Sequence, residues 1–278
     1  MIELKSKVQN LILGIIFIIV PFINYSELYA QDSINIDTHH ELSVLSYNIH
    51  HANPPSLKDS IDLPAIINVI KNSKADLVAL QEIDSNTKRS GFGNQAQQIA
   101  KALGMHVFFG KAIDFENGDY GVAILSKFPI LKSLVHLLPL KSDTNGEPRV
   151  LAMSLIKVAD DKLIWFASTH LDSQKENTNR LLQIQKIIEI TKQEVLPIVI
   201  AGDFNDVEKS PVIDILDKSF TRTCKSCSPT IPVINPTKAI DFIAFQPKKY
   251  FKIKNHSVLP ETYASDHLPI MTVLKFKK

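Results

Sequence analysis

Four apolar residues, Ile198-Val199-Ile200-Ala201, run straight into Gly202-Asp203-Phe204-Asn205-Asp206. No other stretch constrains the fold of this chain as tightly. A short apolar run rich in β-branched residues reads as a strand buried on both faces. The chain then turns at Gly202 and sets Asp203 and Asn205 at the strand's end. The same residues also suit an ordinary capped turn, because an Asp or Asn side chain bonds the backbone two residues on. What favours a chemical role is recurrence, since other apolar runs end the same way.

In chain order, Leu42 to Ile49 alternates as a strand and ends in Asn48-Ile49-His50-His51. A loop with Asn53-Pro54-Pro55 leads to an amphipathic helix from about Leu63 to Asn72, apolar at Ile66, Ile67, Val69 and Ile70. Asp76 to Leu80 reads as a second buried strand that delivers Gln81 and Glu82 at its end. A polar loop, Asp84 to Asn94, precedes a helix over Gln95 to Leu103 that Gly104 stops. Strands with tight connections follow at Val107–Gly110, Tyr120–Ser126, Ile130–Leu138, Arg149–Val158 and Leu163–Thr169, the last running into His170. A long helix over about Lys175 to Glu194 leads to the Ile198 strand. A short helix near Pro211–Leu216 and strands at Ile240–Phe245, Phe251–Leu259 and Leu268–Phe276 complete the chain. No repeat or low-complexity linker divides residues 41 to 276, so two packed sheets with outer helices, in one α+β domain, are expected.

The first thirty residues stand apart. Lys5 and Lys7 precede an apolar run, Leu11 to Ile23, and a polar stretch ends in Leu28-Tyr29-Ala30. That is the layout of a secretory signal peptide cleaved after Ala30. An uncleaved anchor is the alternative, but the run is shorter than the ~20 residues a spanning helix needs, and Pro21 interrupts it. The expected organisation is a leader over 1–30, a spacer over 31–41 and one domain over 42–278, exported to a periplasmic or extracellular space. Removing the leader also removes Lys5, Lys7, Glu3 and Glu27, so the net charge stays at +2. Such a balance selects neither for nor against nucleic acid. Cys224 and Cys227 are the only cysteines. In an exported chain this C-x-x-C reads as a local disulfide, since zinc needs two further ligands and a redox motif needs a βαβ setting.

Gathered together, the polar groups at the ends of apolar runs are Asn48, Glu82, His170, Asp203 with Asn205, Asp241, and Asp266 with His267. Singly, each has a plain explanation as a solvated edge, a core histidine or a turn cap. As a set they are the carboxylates, amides and imidazoles of metal-assisted phosphoryl transfer. Oxygen ligands suit Mg²⁺, Mn²⁺ or Ca²⁺. An Asp held by an amide can activate water, and a His held by a carboxylate can stabilise the transferring group or protonate the leaving oxygen.

Leu45-Ser46-Tyr47-Asn48, Leu80-Gln81-Glu82, Ser168-Thr169-His170, Gly202-Asp203-Phe204-Asn205, Ile240-Asp241-Phe242-Ile243 and Ser265-Asp266-His267 resemble the ordered motifs of the endonuclease/exonuclease/phosphatase superfamily. The resemblance covers about residues 42 to 276. It implies a four-layer α/β sandwich of the DNase I-like kind and divalent-metal-dependent hydrolysis of a phosphate ester. It also implies roles: Glu82 as principal metal ligand, with Asn48 and Asp266 near the metal or phosphate. Asp203 would activate water, Asn205 would hold phosphate, Asp241 would steady His267, and His170 would meet phosphate or leaving group. Tyr120, in Tyr120-Gly121-Val122-Ala123-Ile124-Leu125-Ser126, and Arg149, in Glu147-Pro148-Arg149, resemble weaker motif positions that contact the phosphate. A non-catalytic member would have lost the Asp or the Glu, and this chain has both.

The substrate is less legible, because specificity lies in the loops. Lys88, Arg89 and Phe92 in the second loop, and His50 and His51 in the first, are candidates to grip an anionic head group. The Tyr-Asn-Ile-His-His start and the Glu147-Pro148-Arg149 segment are similar to small secreted or membrane-associated bacterial hydrolases. They are also similar to a C-terminal domain of eukaryotic proteins implicated in GPI-anchor lipid remodelling. The expectation is a lipid head group or small organophosphate, with possible membrane-surface contact and no obligate protein partner. A non-specific endonuclease is the alternative, although no insertion is dense in the Lys and Arg that DNA backbone binding uses.

Overall fold

Side-chain alternation along the strands decides the layers. A computed structural model describes residues 41–277, so the expected leader and nearly all of the expected spacer lie outside the described residues. Within them the chain runs β1 (Glu41–Asn48), a 3-10 turn (His50–Ala52), α1 (Leu63–Ser73), β2 (Leu77–Ser85), α2 (Gln95–Leu103), β3 (His106–Phe115), β4 (Gly118–Ser126), β5 (Ile130–Leu137), β6 (Val150–Ala159) and β7 (Lys162–His170). It continues through α3 (Thr178–Thr191), β8 (Ile198–Asp203), α4 (Pro211–Ser219), β9 (Thr221–Arg222), β10 (Asp241–Gln246), β11 (Phe251–Val258) and β12 (Ile270–Phe276). One sheet has the order β11-β12-β1-β2-β4-β3 and the other β5-β6-β7-β8-β10-β9.

Leu42 and Val44 of β1, Leu77 and Ala79 of β2, Phe166 of β7 and Val199 and Ala201 of β8 share one core between the sheets. Their strand neighbours point the other way. Leu45, Tyr47, Val78 and Leu80 pack with Ile66 and Ile70 of α1 and Ile99 of α2. Met153, Trp165 and Ile200 pack with Ile184, Ile187 and Leu216 on α3 and α4. The result is helices, sheet, sheet, helices: the expected four-layer sandwich. Strands covered on both faces carry no polar alternation, which is why they read as continuous apolar runs.

The same alternation builds the polar end of the inter-sheet layer. Following Val44 on its face come Ser46 and Asn48; following Phe166 come Ser168 and His170; following Ala201 comes Asp203. All five are buried. Gln81 Nε2 donates to Ser168 Oγ (3.2 Å), and that hydroxyl donates to Leu80 O (3.2 Å), tying the two sheets together just below this end.

Two local expectations require correction. Glu82 does not end a strand; β2 continues to Ser85, and the register with β4 slips between Leu80 and Ile83. Glu82 has φ +58° at this bulge. One extra residue between Leu80 and Ile83, both packed on the helix side, turns Gln81 and Glu82 toward the opposite face. Gly202 is likewise no turn but lies inside β8, paired with Thr169, and the reversal comes at Asn205 with φ +50°. Smaller differences are a longer β3, a shorter α3 and the two-residue β9, too short to show any period. The Cys224–Cys227 disulfide is formed.

Gly202 is required by close approach: a Cβ there would stand 2.1 Å from the Thr169 carbonyl oxygen. Gly202→Ala is therefore expected to push β8 off β7 and destabilise the fold by roughly 1–3 kcal/mol, as overpacking does. An unchanged urea midpoint would show that the strands part without cost.

Candidate active site

Register brings the titratable groups together. The parallel β7–β8 ladder sets His170 opposite Asp203, and the antiparallel β8–β10 ladder sets Asp203 opposite Asp241. In the other sheet the β1–β2 ladder aligns Asn48 with Gln81. His267 arrives from the loop before β12. Ser265 Oγ donates to Asn48 O (2.7 Å) and accepts from His267 N–H (3.3 Å), so this loop is pinned to the end of β1.

Asp203 is the common neighbour. Its Oδ1 accepts Asn205 N–H at 2.8 Å, the turn-capping bond expected of such a residue. Its Oδ2 accepts Asn48 Nδ2–H at 3.2 Å and lies 3.5 Å from His170 Nε2 and 3.7 Å from His267 Nε2. Burial, then the Asp241 charge, push the Asp203 carboxyl up to about 7, against the opposing pull of His267. Asn205 also donates from its side chain to Leu171 O (3.0 Å), which fixes it beside Asp203.

The two imidazoles differ. Burial depresses the His170 pKa, and the charge of Arg149 lowers it further. Arg149 Nη1 stands 3.3 Å from His170 Nδ1; a guanidinium only donates, so Nδ1 accepts and Nε2 carries the proton toward Asp203. Burial would also lower His267, but the charge of Asp241 and its bond to Nδ1 (2.9 Å) outweigh that and raise it to about 10. Thr230 Oγ1 donates to the same Asp241 oxygen. At neutral pH the site thus holds one neutral and one cationic imidazole. Tyr120 and Arg149 are beside them: with Gly121 and Val150 they line a small void reaching His170. Burial pushes the Tyr120 phenol up, so it stays a hydrogen-bond donor.

Glu82 faces the cleft from its bulge. Burial opposes its ionisation, but His51, His170 and Asn48 more than offset this and hold it below the usual carboxylate range. Oε1 accepts Asn48 Nδ2–H (3.0 Å), while Oε2 lies 3.9 Å from His51 Nδ1, too far for a hydrogen bond. One donor atom each from His50, His51 and Glu82 lie within 4.8 Å of one another, and Asp203, Asp241 and His267 form a second such group. An ionised carboxylate with adjacent open donors fits a divalent cation. Of the expected set, Asn48 presents its amide nitrogen to the two carboxylates, because its Oδ1 is taken by His50 N–H (3.1 Å). Asp266 lies outside the Glu82 group and accepts from Ser265 Oγ at 3.4 Å. The sequence reading treated His50 and His51 only as loop lining; their position two and three residues after Asn48 was the available signal.

An open pocket of about 670 Å³ adjoins the centre, lined by His51, Asn53, Asp59, Ile61, Lys88 and Arg89 among others. Arg89 is less free than expected. The buried Asp84 carboxylate accepts from its Nε (2.7 Å) and Nη2 (2.9 Å), and also from Thr87 and Ser90. The guanidinium lies 4.5 Å from the Phe115 ring centroid. The loop is a rigid pocket wall.

The model of the Endonuclease/Exonuclease/phosphatase family matches residues 45–267. The protein cwh43 of Schizosaccharomyces pombe is 30% identical over 139 residues, 49% of this chain and 14% of that protein. Angel homolog 2 of Danio rerio is 27% identical over 202 residues, 62% of this chain and 34% of that protein. The chain thus spans about a third or less of the length of these relatives. A crystal structure of an endonuclease/exonuclease/phosphatase from Beutenbergia cavernae DSM 12333 superposes with a TM-score of 0.73 at 23% identity, covering 85% of this chain and 72% of that one.

The raised Asp203 pKa has a consequence for stability. A carboxyl whose folded pKa exceeds its unfolded value favours folding most below the unfolded value, near 4, and that contribution is lost as pH rises through about 7. Asp203→Asn removes this loss. Its Tm in EDTA is expected to exceed the wild-type value at pH 8, by ~2–4 °C per kcal/mol of relieved repulsion, with the gap narrowing toward pH 5. A gap that is independent of pH, or reversed, in thermal melts would contradict the assignment.

Proposed function

The chain belongs to the endonuclease/exonuclease/phosphatase family, and we propose that it is a divalent-metal-dependent hydrolase of phosphate esters whose reaction is in-line water attack on a phosphodiester bearing a small organic head group. The convergence of Asn48, His170, Asp241 and His267 on Asp203 carries this reading. Asp203, with a pKa near neutrality, takes the proton of the attacking water. The imidazolium of His267, held by Asp241, stabilises charge developing on the phosphoryl oxygens. Neutral His170 donates from Nε2–H, and Arg149 adds a fixed cation behind it. Asn205 and Tyr120 are further donors to phosphate. A divalent cation, which Glu82 would hold, would supply Lewis-acid polarisation of the phosphate.

The 670 Å³ pocket supports a small head group over a long duplex. It is concave, of ligand size, and lined by both signs of charge, whereas duplex binding draws on an extended row of cations. Lys88 has no ion pair or hydrogen bond from its side chain among the described residues and is free to meet an anionic group. A lipid head group or a free organophosphate fits this chemistry equally, and contact with a membrane surface follows if the source is a lipid. The leader pattern of residues 1–30 supports export.

EDTA is expected to abolish hydrolysis, and Asp203→Ala and His267→Ala each to reduce kcat by at least ~10²–10⁴-fold. Lys88→Ala is expected to raise KM with little change in kcat. Substrates to compare are supercoiled DNA, RNA, sphingomyelin, phosphatidylinositol phosphates and generic mono- and diesters. DNA nicking at low enzyme, lost in Asp203→Ala, would replace the head-group reading with a nuclease. Near-normal turnover in either alanine variant would refute the roles.

The pH profile provides a second check. The rate should climb as Asp203 deprotonates, at or below about pH 7 because a bound cation favours its ionised form, and fall as His267 deprotonates near pH 10. Asp241→Asn removes the anion that raises both groups, so both limbs should move to lower pH by about 1 unit or more. A basic limb that stays in place would show that it does not report His267.

A further inference from the structure

We propose that His51, together with His50, ligates the divalent cation at Glu82, making this an imidazole–carboxylate centre that selects a transition ion such as Mn²⁺ over Mg²⁺ or Ca²⁺. This rests on the reading of Glu82 as a metal ligand and is independent of the substrate.

Three observations support it. First, a ring nitrogen of each histidine and a Glu82 oxygen lie within 4.8 Å of one another. Small side-chain rotations bring such atoms to the separations of about 3–4 Å that neighbouring ligands keep at metal–nitrogen distances of about 2.1 Å. Second, His51 Nδ1 is shielded from solvent and has no hydrogen-bond partner, although it faces Glu82 Oε2 at 3.9 Å. A buried nitrogen left unpaired is costly, and a cation between it and the carboxylate satisfies both. Third, His50 Nδ1 lies 2.9 Å from Asn53 O. A carbonyl can only accept, so the proton is on Nδ1 and the lone pair on Nε2. This is how ligating imidazoles are commonly oriented by a partner behind the metal.

The backbone is shaped to present both rings. His50, His51 and Ala52 have φ of +47°, +43° and +62°, a left-handed conformation that costs roughly 1–2 kcal/mol per residue without glycine. Ala52 N–H bonds Ile49 O and Asn53 N–H bonds His50 O, both at 2.8 Å, closing the turn against the end of β1. The rings meet edge to face, 4.5 Å between centroids. Mg²⁺ and Ca²⁺ favour all-oxygen surroundings, whereas imidazole shifts preference toward the first-row transition ions, with Mn²⁺ the weakest of that series and so the most demanding probe of it.

The test is pulsed EPR of Mn²⁺ bound to the full chain, with Mg²⁺ competition. Directly coordinated imidazole ¹⁴N couplings are expected in the wild type, and Mn²⁺ should outcompete Mg²⁺. His51→Ala should lose part or all of the coupling and weaken Mn²⁺ binding by ~10–100-fold. Mn²⁺ binding that disappears in Glu82→Gln but shows no ¹⁴N coupling in the wild type would overturn the proposal while leaving Glu82 as ligand. Mn²⁺ binding that survives Glu82→Gln unchanged would overturn the reading of Glu82 itself. Absence of the coupling in the wild type overturns the proposal whatever the variants do, and coupling that persists undiminished in both His51→Ala and His50→Ala would assign it to another imidazole and overturn it as well.

Discussion

Burial of the Asp203 carboxylate is the constraint on which the rest of this structure depends. A carboxylate removed from water is strongly destabilising unless donors replace its hydration. Two donors come from separate parts of the chain, Asn48 from β1 and the Asn205 amide from the turn after β8, while the rings of His170 from β7 and His267 from the loop before β12 stand at 3.5 and 3.7 Å. Asn48 also reaches Glu82, so one amide side chain links the two acidic groups and, through them, the two sheets. Between the sheets the contacts are largely apolar and fix no particular register of one on the other, with a Thr223–His256 hydrogen bond (2.8 Å) at the far edge. At this end, directional bonds do so.

Much of this was legible in the sequence because strand periodicity is rigid. The pairs two apart, Ser46 and Asn48, Ser168 and His170, Ala201 and Asp203, lie on the face already defined by Val44, Phe166 and Val199. A polar residue that continues an apolar face is readable without coordinates. Glu82 was found by motif, yet its placement was misread, because by alternation it belongs on the helix side and only the bulge reverses it. Bulges depend on the partner strand, here β4, and leave no periodic trace. The left-handed turn at His50–Ala52 was equally hidden, since no glycine marks it and the enrichment of histidine at positive φ does not single out two histidines and an alanine in a row. Nor did the sequence show that Asp84 would hold Arg89.

That second buried carboxylate repeats the logic of the first at the pocket. Asp84 is fully buried and accepts from Arg89, Thr87 and Ser90, all within the loop that follows it. Gln95 joins the same knot, accepting from Asp84 N–H (3.0 Å) and donating to His51 O (2.7 Å). The bond to His51 ties the loop after β2 to the turn that flanks Glu82. Pocket wall and proposed metal ligand are therefore braced by one side chain, and shape at the pocket is not independent of geometry at the centre.

Charge at the centre couples the binding of its partners. Glu82, Asp241 and ionised Asp203 face two fixed cations, Arg149 and the His267 imidazolium, leaving an excess of negative charge even before Asp266 and Glu147 at the rim are included. A phosphate ester brings more negative charge into the same low-dielectric space, where repulsion is weakly screened. A divalent cation reverses that sign locally. By linkage, a cation that favours the phosphate is itself favoured by it to the same degree. Asp203 gains as well: a nearby cation stabilises its ionised form, which is the form that accepts a proton from water. On the proposed roles, the buried acids that strain the free protein are thus the groups that make cation, substrate and general base mutually dependent.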